Sequence, residues 1–238
     1  MLSEKPDPMG AAIKAYWEGN KKASITVYSD QMEADELPAA YLFREFAEMP
    51  EREQLALNLA TGRVLDVGAG AGSHALALQA RGVEVTALEI SERATQVQKA
   101  RGVKNVLPGD FFTLPPAPHD TLLLLMNGIG LAGTLEGLPD FLATCKKWLA
   151  PGGQILLESS DILYLYEEED GSVLLDLNGA YYGELTYLME FGQERSEPFP
   201  WLFINFDLLQ EYAQEAGFNA ELLLQEEDDH YIARLTLA

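Results

Sequence analysis

The chain has 238 residues, 47% of them hydrophobic and 23% charged, the composition of a globular protein with one sizeable core. Its 38 acidic residues against 16 basic ones leave a formal net charge of −22. That field repels phosphate backbones and anionic membranes, which argues against nucleic acid and membranes as partners; the acidity either serves solubility or suits a neutral or cationic small molecule.

No apolar run approaches the ~20 residues of a membrane span. The first ten residues lack the apolar stretch of a signal peptide. The single cysteine, Cys145, allows no intrachain disulfide. A cytoplasmic protein is expected.

Residues 1–61 read as a helical cap ahead of the core. Gly10–Asn20 suits a short amphipathic helix, with Ile13, Tyr16 and Trp17 on one side. Ile25–Tyr28 is left open. Pro38 suits the first turn of a helix through Tyr41, Leu42 and Phe46, and Pro50 opens another carrying Leu55 and Leu59.

From Val64 onward, strand and helix alternate, and residues 62–238 read as one domain. Val64–Val67 is the first strand, followed by Gly68-Ala69-Gly70-Ala71-Gly72 and a helix over Ser73–Arg81. Glycines at such a turn let a ligand lie close to the backbone, and a helix starting there directs free N–H groups at it. Glu84–Leu88 is the second strand and ends in Glu89-Ile90-Ser91, with Ser91 placed to cap the next helix. Val103–Leu107 is the third, followed by Gly109-Asp110-Phe111. Thr121–Met126, apolar on both faces, is the fourth and central strand, followed by Asn127-Gly128. A helix with Leu138, Phe141, Leu142, Cys145 and Leu149 leads through Pro151-Gly152-Gly153 to the fifth, Gln154–Glu158. Residues 161–201 read as an insertion with a β-hairpin. Asp207 suits the cap of a last helix before two terminal strands, Ala220–Leu224 and Tyr231–Leu237. This order predicts an α/β fold with a doubly wound, largely parallel sheet, whose strand ends share one rim.

Four features meet on that rim: the glycine turn, Glu89, Gly109-Asp110-Phe111 and Asn127-Gly128. Glu89 follows the first glycine by about 20 residues, where an acid accepts from both hydroxyls of a ribose. A nicotinamide-binding Rossmann domain explains the first two features. It expects a glycine where Ser73 stands, and gives no reason for Asp66, Asp110 or the Pro-Gly-Gly.

The run Val64–Gly72, Glu89, Gly109-Asp110 and Leu149-Ala150-Pro151-Gly152-Gly153, in that order, resembles the motifs of class I S-adenosylmethionine-dependent methyltransferases. The resemblance implies a Rossmann-like sheet of seven strands with the last antiparallel, an N-terminal cap, and a β-rich insertion near the acceptor. It implies S-adenosylmethionine as cofactor, with S-adenosylhomocysteine as product. Gly68, Ala69, Gly70 and Gly72 would pass beneath the methionine part, and Asp66 would order that loop. Glu89 would hold the ribose, Ile90 would pack on adenine, and Asp110 would accept from its amine beside Gly109 and Phe111. Asn127 and Gly128 would line the methyl-donor end, and Arg44 could pair with the cofactor carboxylate. A cofactor-binding protein without catalysis is the alternative from a different class.

No general base is assigned and no metal is expected. His74 reads as a packing or capping residue, His230 and Glu167–Asp170 as parts of solvated turns, and Cys145 as core filler. Asn127 does not open the Asn-Pro-Pro-Tyr motif of amino-group nucleic-acid methyltransferases. Tyr164, Tyr166, Tyr181, Tyr182 and Trp201 either wall an acceptor pocket or pack the hairpin. The methylated atom, O or N, and the oligomeric state stay open.

Overall fold

A computed structural model describes residues 6–168, 170–175 and 179–238; Glu169, within the acidic run 167–170, lies outside the described residues. The N-terminal segment forms α1 (Pro8–Trp17), β1 (Ser24–Ser29), β2 (Asp35–Pro38), two 3-10 turns (Ala39–Phe43 and Phe46–Glu48) and α2 (Glu51–Leu59). The core follows as β3 (Arg63–Val67), α3 (Ser73–Ala80), β4 (Glu84–Glu89), α4 (Glu92–Arg101), β5 (Asn105–Pro108), β6 (His119–Leu124), α5 (Leu138–Trp148) and β7 (Leu149–Ser160). Then come β8 (Glu184–Phe191), β9 (Glu194–Arg195), β10 (Phe199–Leu202), α6 (Phe206–Glu215), β11 (Phe218–Gln225) and β12 (His230–Leu237).

The main sheet has seven strands in the order β11-β12-β7-β6-β3-β4-β5. β12 runs antiparallel to both neighbours, while β7, β6, β3, β4 and β5 pair in parallel. This is the architecture expected above.

β6 is central because it is apolar on both sides. Leu122 and Leu124 join the core under α5 and α6, with Phe141, Trp148 and Leu209. Leu123 faces the opposite core, with Leu57 and Leu78. Full burial of each leucine contributes roughly 1.5–3 kcal/mol, so the two faces lock the register of this strand. It ends at Leu124, two residues before the expected end, because Met126 and Asn127 turn into left-handed backbone at φ 55° and 57°.

The N-terminal segment is not helical throughout. Pro38 ends β2 instead of opening a helix, and Ile25–Tyr28 lies within β1. β1 pairs with β2 on one side and with β8 on the other. The segment before the core and the insertion after β7 therefore build one antiparallel sheet, ordered β10-β8-β1-β2, with β9 on β8. α6 is capped by Asn205, whose side chain accepts from the Leu208 N–H at 2.9 Å, rather than by Asp207.

Candidate functional site

The loop after β3 is built so that two of its glycines face open space. Gly68 and Gly70 have φ of +69° and +52°, and a Cβ on either would meet nothing within 4 Å. Their Cα faces border a cavity lined also by Arg44, Asp66, Ala69 and His74. Gly72 has a different role: a Cβ there would come within 2.9 Å of Val103, so this glycine lets α3 and α4 pack and does not line the cavity. The loop is held from behind. The Gly68 and Ala69 N–H groups donate to the Leu88 carbonyl at 2.9 and 3.0 Å. Gln98 and Arg101 of α4 donate to the Gly70 and Ala71 carbonyls at 2.8 and 2.7 Å.

Glu89 ends β4 beside this loop. One carboxylate oxygen accepts from the Gly70 N–H at 2.8 Å, the other from the Ser91 N–H at 2.8 Å. Burial raises its pKa, and the two backbone donors only partly offset that. Each oxygen keeps a lone pair for a further donor, and both are fixed in direction. Ser91 caps α4 as expected, accepting from the Ala94 N–H at 3.0 Å. Its hydroxyl donates to the Asp7 carboxylate at 2.6 Å, tying α1 to this corner. Ile90 stands 73% exposed beside it.

After β5, Asp110 accepts from the Phe112 N–H at 2.9 Å. That turn sends Phe111 inward, buried and stacked on Trp148 at 5.7 Å between ring centroids. Phe111 is a core residue here, and Phe112, 47% exposed, is the aromatic left on the rim next to Asp110. Gly109 sits at φ +147°, where a Cβ would strike Leu114.

After β6, the Met126 N–H donates to buried Glu158 at 2.8 Å, and the Asn127 amide donates to the Leu202 carbonyl at 3.1 Å. These bonds hold two consecutive left-handed residues in a conformation costing about 1–3 kcal/mol each. The Asn127 Oδ1 is buried with no partner. Gly128 is buried at the start of the 3-10 turn Gly128–Ala132.

Three residues the sequence reading passed over, or read as packing, belong to this region. Glu53 of α2 is wholly buried, receives Arg44, and lies 2.8 Å from the His74 Nε2. Arg52 bridges Glu158 and Glu226. None carries a local motif, since each partner comes from a different element. The aromatic residues of the insertion divide. Tyr166, Tyr181 and Tyr182 line a cavity with Asp30 and Glu184, Tyr164 is exposed, and Trp201 packs against Gly130. His230 lies 3.2 Å from Asp228, and among the described residues no group of three or more His, Cys, Asp or Glu could hold a metal ion.

The chain matches the family model described as a methyltransferase domain over residues 39–223. It is 44% identical to a SAM-dependent methyltransferase from Bacteroides fragilis solved with S-adenosyl-L-homocysteine, at a TM-score of 0.92, covering 100% of this chain and 98% of that one. The CcbJ methyltransferase of Streptomyces caelestis shares the fold at 17% identity and a TM-score of 0.60, over 82% of this chain and 99% of that one. A protein-L-isoaspartate O-methyltransferase of Aromatoleum aromaticum is 30% identical over 122 residues, 47% of this chain and 51% of that protein, so the match spans about half of that curated relative. The chain belongs to the methyltransferase domain family and is a class I S-adenosylmethionine-dependent methyltransferase.

Proposed function

We propose that this methyltransferase moves the methyl group of S-adenosylmethionine to an oxygen or nitrogen of a small-molecule acceptor, in the cytoplasm. The observation that carries the cofactor half is a cavity whose glycine faces are open and whose walls hold two buried polar atoms without partners, the Arg44 Nη1 and the Asp66 Oδ2. Such a cavity suits a group with both a carboxylate and an ammonium. Arg44 would take the carboxylate, and the Asp66–Gly70 loop would support the amino-acid chain. Glu89 would accept from the ribose, Ile90 and Phe112 would border the adenine, and Asp110 would accept from its amine. Asn127 and Gly128 would line the methyl-donor end.

When bound, S-adenosylmethionine supplies a methyl group already activated by its sulfonium. The protein's part is then orientation and exclusion of water, which can lower a barrier by roughly 7–11 kcal/mol. The sheet built from β1, β2, β8, β9 and β10 would serve as the cover, with residues 161–201 nearest the acceptor. The cavity bounded by Asp30, Tyr166, Tyr181, Tyr182 and Glu184 measures about 490 Å³, within the range of small-ligand pockets. Its aromatic walls and two carboxylates favour a neutral or cationic acceptor over an anionic one.

Methyl-labelled S-adenosylmethionine, offered with pools of small amines and alcohols, with protein and with RNA, tests both halves. Label is expected in the small-molecule fraction only. Label in protein or RNA, or calorimetry in which NAD binds and S-adenosylhomocysteine does not, would overturn the reading.

A further inference from the structure

Four charged side chains from four different parts of the chain meet behind the cofactor loop. Arg44 follows the 3-10 turn Ala39–Phe43, Glu53 lies on α2, His74 on α3, and Asp66 near the end of β3. The Arg44 Nε donates to the Tyr41 carbonyl at 2.7 Å, and its guanidinium lies over the Tyr41 ring at 3.4 Å from the centroid. Its Nη2 donates to both Glu53 oxygens at 2.9 and 3.1 Å. Three of its five N–H donors sit on these two nitrogens, and the third nitrogen, Nη1, is buried without a partner on a side chain that lines the glycine cavity. Glu53 is also 2.8 Å from the His74 Nε2, and the His74 Nδ1 is 4.0 Å from the Asp66 Oδ1.

The charges order the cluster. Burial raises the Glu53 pKa, but the hydrogen bond and charge of His74, with Arg44, outweigh it, and the carboxyl ends below its usual range. Burial lowers the His74 pKa, but the bond to Glu53 and the charges of Asp66 and Glu53 outweigh it, and the imidazole ends above its usual range. Asp66 is pushed up by burial. The buried Glu53 carboxylate thus has Arg44 and His74 on its two sides, and Arg44 also lines the cavity.

We propose that Glu53 and His74 are positioning residues that aim Arg44 at the carboxylate at the amino-acid end of the cofactor; this rests on S-adenosylmethionine being the cofactor. Glu53 fixes the guanidinium through Nη2 and leaves Nη1 free for a further acceptor. The imidazole shares the same carboxylate, and in its protonated form it shares the Glu53 charge, so that Arg44 is not fully neutralised by its own partner. The groups facing His74 are Glu53 from α2 and Asp66 from β3, with Glu158 of β7 adding a weaker field and Arg44 acting across Glu53. Loss of the imidazolium proton removes a positive charge from this set.

The test compares two ligands by calorimetry on the full chain. S-Adenosylhomocysteine has the amino-acid end; 5′-deoxy-5′-methylthioadenosine has the same nucleoside without it. Glu53→Gln and His74→Gln should weaken the first by about ten- to a hundredfold, and the second by less than about threefold. In the wild type between pH 6 and 8.5, the preference for the first ligand should fall as pH rises, and in His74→Gln it should stay level. An equal loss for both ligands in the two variants, or a wild-type preference that stays level across the pH range, overturns the proposal. Should a variant not fold, the wild-type pH series decides alone, a level preference being the overturning result. If the wild type binds neither ligand, the cofactor reading itself falls; if it binds both and only the preference is insensitive, only the positioning role falls.

Discussion

The Trp201 indole occupies the space where a Cβ on Gly130 would stand. Trp201 belongs to β10 of the smaller sheet, and Gly130 to the 3-10 turn that follows Asn127. The contact joins the cover to the loop at the central strand's end. The indole has little room to retreat, because it stacks on Tyr187 at 6.3 Å and 13° and meets the Phe199 edge at 6.0 Å.

Gly130→Ala is therefore expected to cost about 1–3 kcal/mol through overpacking, or to push β10 off the turn. Urea denaturation reads the first effect and tryptophan fluorescence the second. A variant with the wild-type midpoint and an unchanged emission spectrum would show that this contact does not hold the cover.

Glu89 is held by two backbone donors at 2.8 Å, which leaves one accepting direction on each oxygen. Glu89→Ala removes two charge-assisted acceptors, and its affinity for S-adenosylhomocysteine should drop on the order of a hundredfold. Glu89→Gln keeps one acceptor and should lose less. The same dissociation constant in a folded Glu89→Ala protein would refute the ribose assignment.

Much of the rim was legible because its signals are local. Asp66, Gly68, Gly70 and Glu89 sit at strand ends that hydrophobic runs mark directly, and the spacing between them reflects one strand-helix-strand unit. The cover was harder to read. β1 finds its partner in β8, more than 150 residues later, and a six-residue strand carries too little pattern to be told from a helix turn. Phe111 and Phe112 could not be told apart, because the Asp110 side chain sets which of them turns inward. The Arg44–Glu53–His74 group was invisible for a related reason. A lone histidine after a glycine loop has no period, and its role comes from a carboxylate on another helix.

His74 and Glu53 also couple the stability of the fold to pH. His74 has a folded pKa above its unfolded value, so its contribution is complete below the unfolded value of about 6.5 and is lost as pH rises through the folded one. Glu53 has a folded pKa below its unfolded value, so its contribution is present above about 4.5 and is lost as pH falls through the folded one. The pair therefore stabilises the fold across the window between the lowered carboxyl and the raised imidazole. Substituting His74 by glutamine removes the alkaline limit but keeps a neutral donor for Glu53, and Arg44 stays in place. Near neutrality the variant should be less stable than the wild type by about 1–3 kcal/mol. That gap should narrow as pH rises above about 6.5, because there the folded wild type holds its proton more tightly than the unfolded chain does, and the variant has none to lose. Glu89, whose carboxyl burial also raises, is common to both proteins and drops out of the difference. Chemical denaturation of both at pH 6, 7, 8 and 9 measures the gap, and two curves that stay parallel across this range would show that folding does not raise the His74 pKa.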